Sequence, residues 1–439
     1  MENTLIYSSY NFLFKTSQGV PLLYNSEHNN LLELTLQLYD VLKLASENNE
    51  IISSIDDEIR NKLINNGILV NANNRDSLKQ KLYDKYIADN INNSTLNLTI
   101  LPTYNCNFNC SYCFEGEKHN SIMSQQVINE LIQFIKTDRS IKNLSILWFG
   151  GEPLLAYNII RGILKKIELE FNIPIISHGI ITNGYCINEK ICAFLKDYKI
   201  SYIQITLDGI KTTHDKFRKL KKTNLGTYDI IISNIWLLLE KCPNIKIKIR
   251  INVSQSNFGE YWDLKKELLD LFKSDAIEIY PGFIFNYNSS GKLVPPSLER
   301  SEMIEFYLKS DNKLFPSFAE RKCVATDKNG FVIAPDGGIY KCLKDLNNPK
   351  KIIAYLNGEK ENENLEKLYT STSCFKDKKC LNCFFLPICS GGCCNERIKN
   401  MYENADLNLC TLYKDSAFLQ KCLEKYYINR KQILKKDLL

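Results

Sequence analysis

From residue 96 onward, apolar runs with strand character alternate with amphipathic helical segments, and that alternation restricts the chain more than any other feature. The strand-like runs are Leu96–Thr103, Leu144–Phe149, Ile175–Thr182, Tyr202–Leu207, Ile245–Val253 and Ile277–Phe285. Between them lie segments such as Val127–Ile135 and Tyr228–Leu239, with apolar residues at helical spacing. Six β–α repeats in about 200 residues predict a parallel, partly open barrel, a (β/α)6 arrangement of the TIM type. Past about residue 310 the alternation dissolves into a stretch rich in Cys, Lys, Asn and short turns, closed by a predicted helix over Ser416–Lys436.

The first strand runs into Cys106-Asn-Phe-Asn-Cys110-Ser-Tyr-Cys113, so these three cysteines occupy a loop at a strand's C-terminal end. Barrels of this type place their chemistry there. Three thiolates at C-x3-C-x2-C suit a cubane iron–sulfur cluster better than tetrahedral zinc, with a zinc site or buried free thiols as the alternatives. Zinc and most clusters take four protein ligands; a run that stops at three leaves one iron open to another ligand. Sixteen cysteines in a small secreted domain would read as disulfides. This 439-residue chain opens Met1-Glu2-Asn3 without the charged and apolar regions of a signal peptide. A cytoplasmic protein using its thiols for metal is therefore expected. No apolar stretch has membrane-spanning length, and the formal charge of +6 is too thinly spread for nucleic acid. The most basic run, Arg218–Lys222, reads as a solvated loop.

With Phe108 and Tyr112 interleaved, the cysteine run resembles the signature of radical S-adenosylmethionine (SAM) enzymes. The resemblance continues at successive strand ends, through Gly150-Gly151-Glu152-Pro153, Thr182-Asn183-Gly184, Thr206-Leu207-Asp208-Gly209 and Arg218, twelve residues beyond Thr206. It implies that Cys106, Cys110 and Cys113 hold a 4Fe-4S cluster whose open iron chelates SAM. Tyr112, Gly151, Glu152, Asn183, Thr206 and Arg218 are then the SAM-binding residues, with Arg218 suited to the methionine carboxylate and Arg250 a competitor for that role. An ammonium group needs acceptors, and close backbone approach needs glycine. No catalytic base is identified.

In the tail, Cys323, Gly337 and Cys342 precede Cys380-x2-Cys383-x5-Cys389-x3-Cys393 and then Cys410. This spacing resembles the SPASM extension of peptide-modifying radical SAM enzymes, which implies two auxiliary 4Fe-4S clusters and three in all. The distal one would be held by Cys380, Cys383, Cys389 and Cys410, and the nearer by Cys323, Cys342 and Cys393, with Cys374, Cys394 or substrate as its open fourth ligand. A zinc ribbon is the competing reading of the CxxC unit. Cys186, Cys192, Cys242 and Cys422 read as ordinary buried cysteines on helices.

Residues 1–92 contain no cysteine. Strands over Leu5–Phe14 and Pro21–Tyr24, helices over Leu31–Leu44 and Asp56–Asn65, and a strand at Ile68–Val70 describe a winged-helix-like module, followed by a polar linker over 71–93. Three domains are therefore expected: 1–92, the barrel over 93–310, and the iron–sulfur domain over 311–439. By resemblance, the first recognises the leader of a ribosomally made precursor peptide through an added strand, at the strand with Leu22-Leu23-Tyr24 or the adjoining helix face. The implied function is maturation of that peptide through a 5′-deoxyadenosyl radical, forming a thioether or carbon–carbon crosslink, with flavodoxin or ferredoxin as electron donor. The alternative is an anaerobic sulfatase-maturating enzyme, which oxidises Cys or Ser to formylglycine. Those relatives carry Asp directly after the cysteine matching Cys342, where this chain has Leu343, with Asp345 close by. A more distant alternative is a non-catalytic iron–sulfur regulator of DNA, for which a SAM site has no use.

Overall fold

A computed structural model describes residues 4–74, 76–91, 94–113, 115, 121–137, 140–284, 295–309, 315–320, 322–389 and 391–436. The boundaries expected at 92–93 and 310–311, and the strand end at Phe285, lie outside these residues. The chain forms two compact units. One comprises Met1–Asn90, Ile304–Lys322 and Thr372–Leu439; the other comprises Ile91–Met303 and Cys323–Ser371.

In the first unit, β1 (Leu5–Tyr7), β2 (Asn11–Lys15), β3 (Pro21–Asn25), β4 (Asn30–Glu33) and β5 (Leu69–Asn71) form two small antiparallel sheets, β1-β5 and β2-β3-β4. The expected first strand is split, because Ser8–Tyr10 turn the chain between β1 and β2. Residues 30–33 pair as β4, so the first helix starts later, at Leu36, capped by the Thr35 hydroxyl. The polar segment expected as a linker contains the helix Ser77–Asn90. Its Tyr86 packs in a cluster with Tyr10, Phe375 and Leu386. Phe14, Leu22 and Tyr24 share another cluster with Ile388, Leu419 and Leu423. The N-terminal module and the C-terminal tail are thus parts of one core, which sequence separation hid. β3 is the central strand, paired on both sides and wholly buried. The edge expected at Leu22-Leu23-Tyr24 is therefore no edge, and an added strand has no free ladder there.

The second unit is built on a nine-stranded sheet ordered β11-β10-β9-β8-β7-β6-β12-β13-β14. The first six in chain order are β6 (Thr95–Ile100), β7 (Asn143–Trp148), β8 (Ile175–Thr182), β9 (Tyr202–Leu207), β10 (Lys246–Val253) and β11 (Ile277–Phe283), each parallel to its neighbour. The helix Tyr157–Glu170 buries Ile160, Ile163, Leu164 and Ile167, a stripe at i, i+3, i+4 and i+7. Each such side chain contributes roughly 1.5–3 kcal/mol by leaving water. Absent from the sequence reading are β12 (Gly330–Ile333), β13 (Gly338–Tyr340) and β14 (Ala354–Tyr355). β12 adds to the sheet parallel to β6, which draws residues 323–371 into the unit of the barrel strands. Residues 311–439 are accordingly divided between the two units. Among the described residues, no helix is long and apolar enough to cross a membrane.

Candidate SAM and iron–sulfur sites

The C-terminal ends of β6 to β10 converge on the cysteine loop. Gly151 and Glu152 donate their backbone N–H groups to the carbonyls of Thr103 and Asn105, at 3.2 and 2.8 Å, just ahead of Cys106. A Cβ on Gly151 would stand 2.3 Å from the carbonyl oxygens of Tyr104 and Asn105, and Gly150 holds φ at +125°. Glycine is needed here so that two backbone segments can touch.

Glu152 is fully buried, and its carboxylate accepts from Leu154 N at 3.0 Å, Thr182 Oγ1 at 2.6 Å and Asn183 N at 2.7 Å. Burial pushes its pKa up against these hydrogen bonds. Three of its acceptor positions brace the ends of β7 and β8, a role that the motif alone did not reveal. Asn183 extends the brace, donating to Asn107 Oδ1 at 2.7 Å and toward Cys106 Sγ at 4.0 Å.

A second layer lies at the ends of β9 and β10. Tyr112 donates its hydroxyl to Asp208, and that hydroxyl accepts from Arg218 Nη1 and Asn252 Nδ2, each at 3.2 Å. Asn252 also donates to Asp208 at 3.0 Å, and Arg218 stands 3.9 Å from the same carboxylate. Burial raises the Asp208 pKa while Arg218 pulls it down. The guanidinium lies 5.5 Å from the ring centre of Phe108, and its Nε is buried without a hydrogen-bond partner among the described residues. Thr206 sits half-buried on β9 opposite Arg250. Arg250 Nε is likewise buried without a hydrogen-bond partner among the described residues, lying where a Cβ on Gly282 would be 2.0 Å away. Tyr112, Asp208, Arg218 and Asn252 form one hydrogen-bonded group, whereas Gly151, Glu152, Asn183 and Cys106 form another.

The basic run is not a free loop. Lys221 N donates to Asn107 O at 2.7 Å, Asn109 N donates to Lys219 O at 3.0 Å, and Phe108 bridges to Leu220. This backbone pairing holds Arg218 against the cysteine loop, as periodicity could not foretell. Cys186 is also placed differently from its reading: it lies half-buried in the turn after β8, and Asn107 Nδ2 donates to its sulfur at 3.7 Å. Cys192 and Cys422 are buried on helices, and Cys242 is buried just past one.

Cys106, Cys110 and Cys113 are all half-buried, and burial pushes the Cys110 thiol up to about 12. Among the described residues, no three His, Cys, Asp or Glu side chains gather tightly enough for a single metal ion. A cubane binds each thiolate at a different corner, so its ligands stand further apart. The donor set fits such a group, with Phe108 N–H donating to Cys106 Sγ at 3.4 Å. Cys323 and Cys342 lie in the unit of the barrel strands, exposed and half-buried respectively. Cys380, Cys383, Cys389, Cys393 and Cys410 lie in the other, together with Cys374 and Cys394. There Cys410 Sγ accepts from Lys414 at 3.3 Å, which raises the Lys414 pKa, with Cys383 and Cys380 adding to the effect. Asp345 is buried and accepts from the Tyr369 hydroxyl at 2.6 Å.

Residues 100–266 match the Radical SAM superfamily. A cysteine-type anaerobic sulfatase-maturating enzyme of Clostridium novyi is 26% identical over 75% of this chain and 96% of its own length. The radical SAM cyclopropyl synthase TigE of Paramaledivibacter caminithermalis is 25% identical over 93% of this chain and 94% of its own length. Among solved structures, native anSMEcpe with bound AdoMet and the Cp18Cys peptide superposes with a TM-score of 0.56 at 20% identity, covering 78% of this chain and 99% of that one. That last likeness concerns the fold.

Proposed function

We propose that the chain is a radical SAM/SPASM-domain enzyme related to peptide- and sulfatase-maturating proteins, and that it oxidises a residue within a peptide substrate. The observation carrying the proposal is the convergence of five strand ends on the Cys106–Cys113 loop, with Asp208, Tyr112 and Arg218 hydrogen-bonded beside it. A cluster and SAM, when bound, supply a 5′-deoxyadenosyl radical that removes a hydrogen atom from carbon. In this reading Cys106, Cys110 and Cys113 bind the cluster. Gly150 and Gly151 admit the close backbone approach, and Glu152 and Asn183 fix the loop. Arg218 and Thr206 orient the methionine carboxylate. Asp208 and Asn252 hold Tyr112, keeping the Arg218 side of the site rigid and largely dry.

Of the two finer reactions, the sulfatase-maturating type has the better support: oxidation of Cys or Ser to formylglycine, favoured by the match over nearly the whole Clostridium novyi protein. That reaction needs a base near the substrate thiol or hydroxyl. Leu343 cannot serve, and Asp345 is engaged by Tyr369. The second reading, a leader-guided crosslinking or ring-forming maturase, is favoured by the match to the cyclopropyl synthase over 93% of this chain, which takes in most of the N-terminal module. In it the leader would enter the cavity of about 920 Å³ lined by Tyr7, Tyr10, Glu27, His28, Arg60 and Asn71, not the central strand β3. The test is anaerobic reconstitution with SAM and dithionite in the presence of Cys- and Ser-containing sulfatase-motif peptides. Formation of 5′-deoxyadenosine supports the enzyme class. Replacement of the cysteine's sulfur by oxygen identifies formylglycine, whereas loss of hydrogen with sulfur retained identifies a crosslink. Absence of 5′-deoxyadenosine refutes both.

A further inference from the structure

The cysteines of the tail are met by cations. Arg397, on the helix Cys394–Tyr402, has a side chain only 7% exposed. Its Nη1 donates to Asp377 Oδ2 at 2.8 Å, and its Nη2 donates to Cys380 Sγ at 3.5 Å and to the Gly391 carbonyl at 2.5 Å. Asp377 in turn caps the short helix that carries Cys380, accepting from Lys379 N at 2.9 Å, and receives the Cys380 thiol at 3.6 Å. Cys389 Sγ accepts from Gly391 N at 3.4 Å, and Cys410 Sγ from the exposed Lys414 at 3.3 Å. Three of the four cysteines expected to bind one cluster thus receive N–H donors, two of them from full positive charges. The ion pair with Asp377 explains one face of Arg397. The Gly391 carbonyl takes the other face, and that anchoring leaves Nη2 beside Cys380 Sγ, where a neutral thiol is a poor acceptor and an iron-bound thiolate a good one.

We propose that Arg397 and Lys414 raise the reduction potential of the iron–sulfur cluster held by Cys380, Cys383, Cys389 and Cys410. The proposal rests on the reading of those four cysteines as ligands. Taking up one electron breaks no bond and adds one negative charge to the cluster. A cation donating to a ligand sulfur stabilises that more negative form more than the oxidised one, so the potential rises. Arg397 is buried, so its contribution persists in salt; Lys414 is exposed and its contribution is screened. A cluster poised higher accepts an electron more readily from a carbon radical, as oxidation of a peptide residue requires.

The test is an EPR-monitored redox titration of the full-length, anaerobically reconstituted chain carrying Cys106→Ala, Cys110→Ala and Cys113→Ala, which removes the first cluster's signal. Arg397→Gln should shift one couple to lower potential at unchanged iron content, at both low and high salt. Arg397→Lys should recover part of the shift. Lys414→Gln should give a smaller shift that vanishes at high salt. An Arg397→Gln protein with full iron and an unmoved couple overturns the proposal. Should that variant lose iron through misfolding, an unmoved couple in Lys414→Gln at low salt overturns it equally. Replacing Cys380, Cys383, Cys389 and Cys410 together by Ala tests the underlying reading separately: undiminished iron there sinks the ligand assignment itself.

Discussion

Removing the charge of Arg218 should unsettle the second unit through Asp208. The two groups stand 3.9 Å apart with side chains 9% and 2% exposed, so solvent screens them little. At an effective dielectric near 20, opposite charges at this separation attract by about 4 kcal/mol. Breaking a buried pair from one side costs about 3–5 kcal/mol, because the partner is left buried without its counter-charge. Arg218→Gln and Asp208→Asn should each destabilise by that order, while the double variant should cost clearly less than the two added together. Tryptophan fluorescence reads this cleanly, because Trp148, Trp236 and Trp262 are the chain's three tryptophans and all lie in the unit that holds the pair. For a unit of this size the single variants should lower the midpoint by roughly 6–15 °C. Additivity within about 0.5 kcal/mol in the double-mutant cycle would falsify the coupling.

Replacing Cys106, Cys110 and Cys113 by Ala should abolish 5′-deoxyadenosine formation and, if three clusters are bound, remove roughly a third of the iron; undiminished SAM cleavage excludes this loop as the radical-generating site. Gly151→Ala should displace the cysteine loop, since the new Cβ meets backbone oxygens at 2.3 Å, and weaker SAM binding by calorimetry is the expected result. Leu23→Pro should impair folding of the first unit, because β3 is central and proline removes a ladder donor there; a variant with intact circular dichroism and melting would contradict that topology. Acid should weaken the second unit. His178 accepts from Trp148 Nε1 at 2.9 Å, and burial lowers its pKa to about 4 from 6.5. The unfolded chain therefore binds the extra proton first, and the His178 contribution, fully present above about pH 6.5, fades as pH falls through about 4. His178→Gln should flatten the stability profile in that window, though His214, lowered to about 3 by its own burial, retains some slope.

Deleting residues 1–92 is a poor probe of peptide recognition. It strips Phe14, Leu22 and Tyr24 from the core they share with Ile388, Leu419 and Leu423, in the unit that also holds Cys380, Cys383, Cys389 and Cys410. Point changes in the N-terminal cavity, such as Arg60→Ala, separate recognition from folding. Peptide anisotropy should weaken with SAM cleavage unchanged if the leader-guided reading holds.

The sequence by itself determined the six parallel strands, because buried strands and amphipathic helices write their periods locally, one element at a time. It also determined that the cysteine run follows a strand, and that glycine, carboxylate, hydroxyl and guanidinium recur at the strand ends after it. Tertiary structure decided what those groups touch. Glu152 is spent on Thr182 and Asn183, thirty residues away along the chain, and Arg218 reaches the cysteine loop only because residues 219–221 pair with 107–109. The short strands β12 to β14 carry too few residues to show a period; β12 forms on the parallel edge that β6 offers, and β13 and β14 add to it antiparallel. The union of the first 90 residues with Thr372–Leu439 rests on side-chain packing between segments nearly 400 residues apart, for which no local pattern is needed and none is written.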